Sequence, residues 1–580
     1  MIRVWKALRP RRKTQIILNG FISLLSGLAE MFSLAALAPF LTLLTDPNSI
    51  WSIGIVKRFS FILGFESPTE LLLPVTLVFI FGALLAASIR LLNLWLNCRL
   101  AAIIGSDISY KAYKRTLYQP YEYHLENNSS KIIATITTQI NITVSSIDYM
   151  LQLISSSIII CSLLITMFFL ELQIAFLTTL FFGLIYFLIA IFVKNKLGKN
   201  SLIVVNETNK QFKAVQEGLG AIREVILDGL QDIYLRIYSK AEVPRRIRQA
   251  SSQFLAAFPR YSLEAIGLAT LSAIALFITL QKQSSTAVIP AIGIIALGAQ
   301  RLLPSLQQFY SAWAAIRANK STILQVLNTI EKKMQPIENL NNYKPIIFKK
   351  NIRIENLCYN YKENTNLIKN VNLTINKGDK VALIGSTGSG KSTFVDLIIG
   401  LLSPKKGSIF IDEIILNDKI HPERIYQWRK IISHVPQFIY LADSSIAENI
   451  AFGIPKNKID MSRVRNAARL CQISTFIEST SKGYDTNVGE RGVRLSGGQK
   501  QRIGIARALY KDAKILIFDE ATNALDEITE DAVLQTIKKL PSEVTIIMIS
   551  HKYKNLEFCN RFFKIENNSI KEITYSKKDL

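Results

Sequence analysis

Apolar residues gather in six long blocks over the first half of the chain, near 16–45, 71–98, 147–170, 173–194, 254–281 and 286–318. A helix needs about 20 apolar residues to cross a bilayer, so each block predicts one spanning helix. Residues 46–70, 171–172 and 282–285 hold only three basic residues, Lys57, Arg58 and Lys282, whereas 99–146 and 195–253 are rich in Lys and Arg. Basic loops stay on the cytoplasmic side, which places the two long connections and both ends of the six-span array there. Beyond residue 346 the pattern changes to short apolar runs bounded by glycine or charge, alternating with helical stretches, as in an α/β domain. The pattern therefore predicts an α-helical six-span membrane domain at 1–325, a polar linker at 326–345 and an α/β domain at 346–575.

Composition agrees with a membrane part joined to a soluble part: 49% apolar but 19% charged residues. The net charge of +25 invites a nucleic-acid reading, but its distribution argues against one. Arg3, Lys6, Arg9, Arg11, Arg12 and Lys13 precede the first apolar block without an intervening acid, as positive-inside topology and anionic lipid favour. No nucleic-acid partner is expected; membrane lipid is. The cysteines at 98, 161, 358, 471 and 559 show no metal spacing and read as reduced and structural. Ser49–Leu63 is too short to span and reads equally as an amphipathic surface helix or an irregular loop.

Glu30, Arg90, Arg260, Glu264 and Arg301 fall inside the apolar blocks. Charge at membrane depth is costly unless paired or hydrated. One reading is mutual pairing, for instance Arg260 with Glu264 at i, i+4, or snorkelling of Arg90 and Arg260. The other is a hydrated cavity in which Arg90, Arg260 and Arg301 grip an anionic group, a task suited to the guanidinium fork.

In the second half, residues 385–392 read GSTGSGKS, a phosphate-binding loop between an apolar strand at 380–384 and a helix predicted over 391–401. Glycines let backbone N–H groups approach phosphate, and the helix N-terminus favours the anion. This assigns Gly385, Ser386, Thr387, Gly388, Ser389, Gly390, Lys391, Ser392 and Thr393 to nucleotide, with Lys391 on the β- and γ-phosphates and Ser392 on Mg²⁺. The strand at 515–518 runs into Asp519, a Mg²⁺-orienting carboxylate, and Glu520, which is placed to polarise the attacking water. A further strand at 545–549 ends at Ser550 and His551, where a γ-phosphate sensor is needed.

The segment LSGGQ at 495–499, taken with these motifs in this order, resembles an ATP-binding-cassette exporter half-transporter over nearly the whole chain. The resemblance implies the type IV exporter fold, with ATP and Mg²⁺ as cofactors. It implies that Tyr361 stacks on adenine, that Gln437 senses Mg²⁺ and couples to the membrane helices, and that Ser496, Gly498 and Gln499 close on ATP held by a second copy of the chain. Residues 486–492 resemble the exporter X-loop, and 214–228 the segment after the second coupling helix. Two departures are visible: Asn523 stands where the D-loop usually begins with Ser, and Lys552 where Arg usually follows the switch histidine. Neither removes a catalytic group.

Residues 30–46, 259–267 and 391–402 are similar to bacterial lipid-linked oligosaccharide flippases. That resemblance implies a homodimer in the bacterial inner membrane, its nucleotide-binding domain cytoplasmic, with Arg90, Arg260 and Arg301 engaging a polyprenyl-pyrophosphate-linked oligosaccharide. Export of lipid A, a peptide or a drug is the nearest alternative. A soluble cassette ATPase is disfavoured by the six apolar blocks, and an ATP-gated channel or receptor would differ in lacking turnover coupled to cargo.

Overall fold

The apolar blocks form long helices. The structure, a computed structural model, describes residues 2–36, 40, 42–44, 67–170, 172–280, 285–334, 343–361, 367–417 and 420–574. The segment at 49–63 lies outside them. Two units are distinct: one takes in residues up to Gln119 and Glu126–Lys333, the other Pro120–Leu125 and residues from Met334 onward.

The first unit is helical: α1 (Pro10–Ala35), α2 (Leu72–Leu117), α3 (Ile140–Leu170), α4 (Leu172–Gly220), α5 (Gln231–Leu280), α6 (Ser285–Ala318) and α7 (Lys320–Glu331). Among the described residues, four helical stretches are long and apolar enough to cross a membrane: Pro10–Ala35, Leu72–Leu117, Ser129–Phe169 and Thr179–Gly220. α5 and α6 occupy the remaining two apolar blocks. With its 46 residues, α2 is about 69 Å long at 1.5 Å per residue, twice what a bilayer needs, so its basic C-terminal half extends beyond the membrane. α7 continues helical structure to Glu331, into the stretch expected as linker, because Ile323, Val326, Leu327 and Ile330 bury one face against Ile104, Ile108 and Ile140.

Small and polar residues let the first three helices approach. A Cβ on Gly27 of α1 would stand 2.4 Å from Ser162 Oγ of α3, so any larger residue would displace that hydroxyl. Beside it, Asn19 Nδ2 donates to Asn97 Oδ1 at 2.5 Å, Ser23 Oγ donates to Asn93 Oδ1 at 3.1 Å, and Ser23 and Ser155 hydroxyls lie 2.9 Å apart. Lipid offers these groups no partners, so bonds between helices satisfy them, each worth roughly 0.6 kcal/mol.

The second unit has two sheets. β1 (Asn351–Tyr359), β2 (Ile368–Asn376), β4 (Lys406–Ile411) and β5 (Ile414–Ile415) form an antiparallel sheet in the order β2-β1-β4-β5. β3 (Lys380–Gly385), β6 (Ile432–Val435), β7 (Ile515–Asp519), β8 (Thr545–Ile549), β9 (Arg561–Glu566) and β10 (Ser569–Ile573) form the other, ordered β10-β9-β3-β8-β7-β6. Its strands are parallel except β10. Alternate side chains of the central strands face two cores. Leu383, Ile517 and Ile549 join one, with the helix α8 (Lys391–Ile399). Phe518 and Met548 join the other, with α9 (Gly497–Tyr510) and α10 (Glu527–Lys538). Burial on both faces explains why these strands read as unbroken apolar runs. The helix predicted to reach residue 401 stops at Ile399, because Gly400 turns left-handed at φ +77° and caps it. Pro120–Leu125, inside the segment read as membrane domain, belongs to this second unit, where Tyr359 donates its hydroxyl to Glu122 at 3.5 Å.

Candidate nucleotide site and membrane cavity

β8 lies between β3 and β7, so the loops leaving the C-terminal ends of β3, β7 and β8 are neighbours. This is where parallel α/β sheets bind ligands. After β3 the chain turns through Gly385, Gly388 and Gly390, with φ of +159°, +82° and +103°. A Cβ at Gly385 would sit 2.8 Å from both Ile565 O and Ser389 Oγ, so the loop closes only on bare backbone. The buried Ser389 hydroxyl has no hydrogen-bond partner among the described residues. Lys391 curls back, its Nζ donating to Gly385 O at 2.8 Å and Ser386 O at 3.0 Å. Burial lowers the Lys391 ammonium below its ordinary value, against the attraction of Glu520 and Asp519.

Asp519 ends β7, and burial raises its carboxyl, countered by the hydroxyl of Ser392 that donates to it. Glu520 then takes φ +49°, an uncommon left-handed conformation for a side-chain-bearing residue. Gln437 Nε2 donates to Glu520 Oε2 at 2.8 Å, and Asn523 Nδ2 to the same oxygen at 3.0 Å. His551 Nε2 stands 2.9 Å from Oε1. The fold thus gathers Lys391, Ser392, Gln437, Asp519, Glu520 and His551. Ser392, Asp519 and the carbonyl of Gln437 are hard oxygen donors of the kind Mg²⁺ takes, and the Gln437 carbonyl stays available because its amide nitrogen is engaged with Glu520.

Tyr361 stands half exposed at the end of β1, edge-on to Tyr359 with ring centroids 5.2 Å apart. Its hydroxyl lies 3.1 Å from Thr393 Oγ1, which ties the ring to the first turn of α8. Ser496, Gly498 and Gln499 stand apart at the start of α9. Gln499 N donates to Ser496 Oγ at 3.2 Å and Ser496 N to Gln499 Oε1 at 2.8 Å, a capping box worth about 1 kcal/mol. At Gly498 a Cβ would meet Ala524 O at 3.0 Å.

In the helical unit, a cavity of about 520 Å³ is lined by Glu30, Arg90, Arg301, Asn93, Gln152 and Gln300 among others. Glu30 on α1 is buried, and each of its oxygens takes one arginine: Arg90 of α2 on Oε1, Arg301 of α6 on Oε2 at 2.8 Å. A second cavity of about 440 Å³ holds Arg260, Glu264, Tyr186 and Gln307, and shares Gln300 and Gln308 with the first. Among the described residues Arg260 and Glu264 form no ion pair; the Arg260 guanidinium lies 5.9 Å from the Tyr261 ring. The structure brings Arg90 and Arg301 together and leaves Arg260 apart. Sequence reading named Glu30 without finding its partners. The available signal was that it is the lone acid in its apolar block.

The description "ABC transporter transmembrane region" matches residues 16–296, and "ABC transporter" matches 368–523. The heterocyst differentiation ATP-binding protein HepA of Nostoc sp. is 26% identical over 96% of this chain and 90% of its own. The ATP-dependent lipid A-core flippase of Pasteurella multocida is 26% identical over 98% and 94%. A solved bacterial Atm1-family ABC exporter with ATP bound superposes with a TM-score of 0.77 over 97% of this chain and 95% of that one, at 20% identity. The chain is a multi-pass membrane protein with the type IV ABC exporter fold, a helical transmembrane domain followed by a nucleotide-binding α/β domain. It is an ABC exporter, an ATPase coupled to transport.

Proposed function

We propose that two copies of this chain form a homodimer in a bacterial inner membrane, nucleotide-binding domains in the cytoplasm, and flip a polyprenyl-pyrophosphate-linked oligosaccharide. The observation that carries the cargo reading is the cavity in which Arg90 and Arg301 share Glu30 amid a lining of amides. Two guanidinium groups against one carboxylate leave a net positive charge, suited to a phosphate-bearing headgroup. The asparagine and glutamine side chains offer donors and acceptors to sugar hydroxyls. Arg260 extends the basic surface into the adjoining cavity. The relatives named as lipid A-core flippases support a second reading, lipid A, which shares the glycolipid class.

In the ATPase cycle ATP would supply the phosphoryl group, and a bound Mg²⁺ would supply the charge neutralisation that its transfer needs. The chain's own groups hold and position. Lys391 and the loop amides from Gly385 to Thr393 would take the phosphates, Tyr361 the adenine, and Ser392, Gln437 and Asp519 would hold the metal. Glu520 accepts the proton of the attacking water, and His551 aligns Glu520 and the γ-phosphate. Ser496, Gly498 and Gln499 of the second copy close the site, since a helix N-terminus favours an anion.

The test is ATP-driven flipping of a polyprenyl-pyrophosphate oligosaccharide in proteoliposomes, with Glu520→Gln as control. Removing charge at Arg90, Arg260 and Arg301 together is expected to abolish flipping while basal ATPase persists. Undiminished transport by that triple variant would overturn the cargo site. Robust ATPase with no flipping of this lipid by the unmodified protein would turn the search to lipid A.

A further inference from the structure

A carboxylate has four lone-pair positions, two per oxygen. On Glu520, Oε2 accepts from Gln437 Nε2 at 2.8 Å and from Asn523 Nδ2 at 3.0 Å, so both its positions are taken. Oε1 has His551 Nε2 at 2.9 Å, and one position remains for water. We infer that Asn523 is a positioning residue for ATP hydrolysis: it closes Oε2 of Glu520 and leaves Oε1, beside His551, as the atom that takes the proton. The inference rests on Glu520 as proton acceptor, proposed above.

The local backbone makes this contact possible. Glu520 leaves β7 at φ +49° and donates its own N–H to Ile549 O at 3.0 Å. Asn523 N then reaches back to Glu520 O at 3.3 Å, so residues 520–523 form one tight turn. Within it the Asn523 amide faces the carboxylate three residues earlier. A serine hydroxyl, one bond beyond Cβ, has a reach one bond shorter than the asparagine amide nitrogen that makes this contact. The remaining donors come from the distant ends of β6 and β8. Gln437 would also have to serve the metal, and Asn523 holds Oε2 independently of it. Gln501 anchors the turn from below, its Oε1 accepting from Ala524 N at 2.8 Å, so the amide of Asn523 is free to serve Glu520.

The decisive comparison uses two replacements in the full-length transporter, one that turns the donor into an acceptor at the same size and one that truncates the side chain. Asn523→Asp keeps the shape but sets an acceptor against Glu520 Oε2. Asn523→Ala removes the amide altogether and sets nothing in its place. Steady-state ATPase should show kcat lowered about tenfold by Asn523→Ala and further by Asn523→Asp, with KM for ATP within about twofold in both. In a Glu520→Gln background, single-turnover hydrolysis should be insensitive to Asn523→Ala, because the residue acts through the carboxylate. Wild-type kcat in Asn523→Asp, or the same loss from Asn523→Ala with and without Glu520, would overturn the inference. Full turnover by Glu520→Gln itself would instead overturn the proton-acceptor assignment.

Discussion

Arg301 Nη1 lies 2.8 Å from Glu30 Oε2, across 271 positions of sequence, and ties α6 to α1 at membrane depth. The other oxygen of the same carboxylate takes Arg90 of α2, so Glu30 holds three helices. Its side chain is 2% exposed. Glu30→Gln should therefore leave two guanidinium groups facing each other without their counter-charge, at a cost on the order of 3 kcal/mol. The thermal midpoint of the purified transporter should fall by several degrees, and adding Arg90→Gln should recover part of the loss. Equal stability of wild type and Glu30→Gln would show that water in the cavity already screens the cluster.

At the nucleotide site, Glu520→Gln should lower phosphate release by roughly a hundredfold or more, the usual contribution of a general base, while ATP binding persists. Filter retention of labelled ATP alongside multi-turnover phosphate release measures both. His551→Ala should give a loss of similar order, since the imidazole stands 2.9 Å from the same carboxylate. Normal turnover in either variant would remove that residue from the proposed machinery.

Glu530 of α10 is buried and accepts from Lys552 Nζ at 2.7 Å and Asn555 Nδ2 at 2.8 Å, and from the Thr522 hydroxyl. It thereby pins the segment after His551 to the helix after Asn523. Glu530→Ala should cost about 2 kcal/mol by stranding these donors and should slow hydrolysis by loosening His551. Glu530→Gln, which keeps an acceptor, should do less of both. Thermal unfolding and ATPase rate on the same preparations would separate the two effects.

His434 on β6 is largely buried, and its Nε2 has no hydrogen-bond partner among the described residues. Burial pushes the imidazole from 6.5 down to about 4. Above pH 6.5 it is neutral folded or unfolded and does not affect stability. Between 6.5 and about 4 the unfolded chain takes a proton that the folded one refuses, so stability falls as pH falls, by on the order of 3 kcal/mol over that window. Carboxylates contribute to acid destabilisation too, so the readout is a difference. The thermal midpoint of His434→Leu should fall less steeply than that of wild type from pH 6.5 to 4. Parallel curves would mean that His434 is not the group responsible.

What the sequence determined by itself is what is local. Six apolar blocks are helix-forming because each is a contiguous run, and the glycine loop, the strand into Asp519 and the strand into His551 are contiguous too. ATP binding and the exporter class follow from their order. Tertiary structure alone decided which charges meet. Among the described residues Arg260 and Glu264, neighbours by helical spacing, do not pair, whereas Glu30 of α1 reaches Arg90 of α2 and Arg301 of α6 because the packing of these three helices sets their side chains around one cavity. Likewise, Gln437 lies 83 positions from Glu520 yet shares its Oε2 with Asn523. Asn523 read as a neutral replacement until the left-handed turn at Glu520 aimed its amide at the carboxylate. Such pairings depend on side-chain direction across elements far apart in sequence, and spacing along the chain carries no record of it.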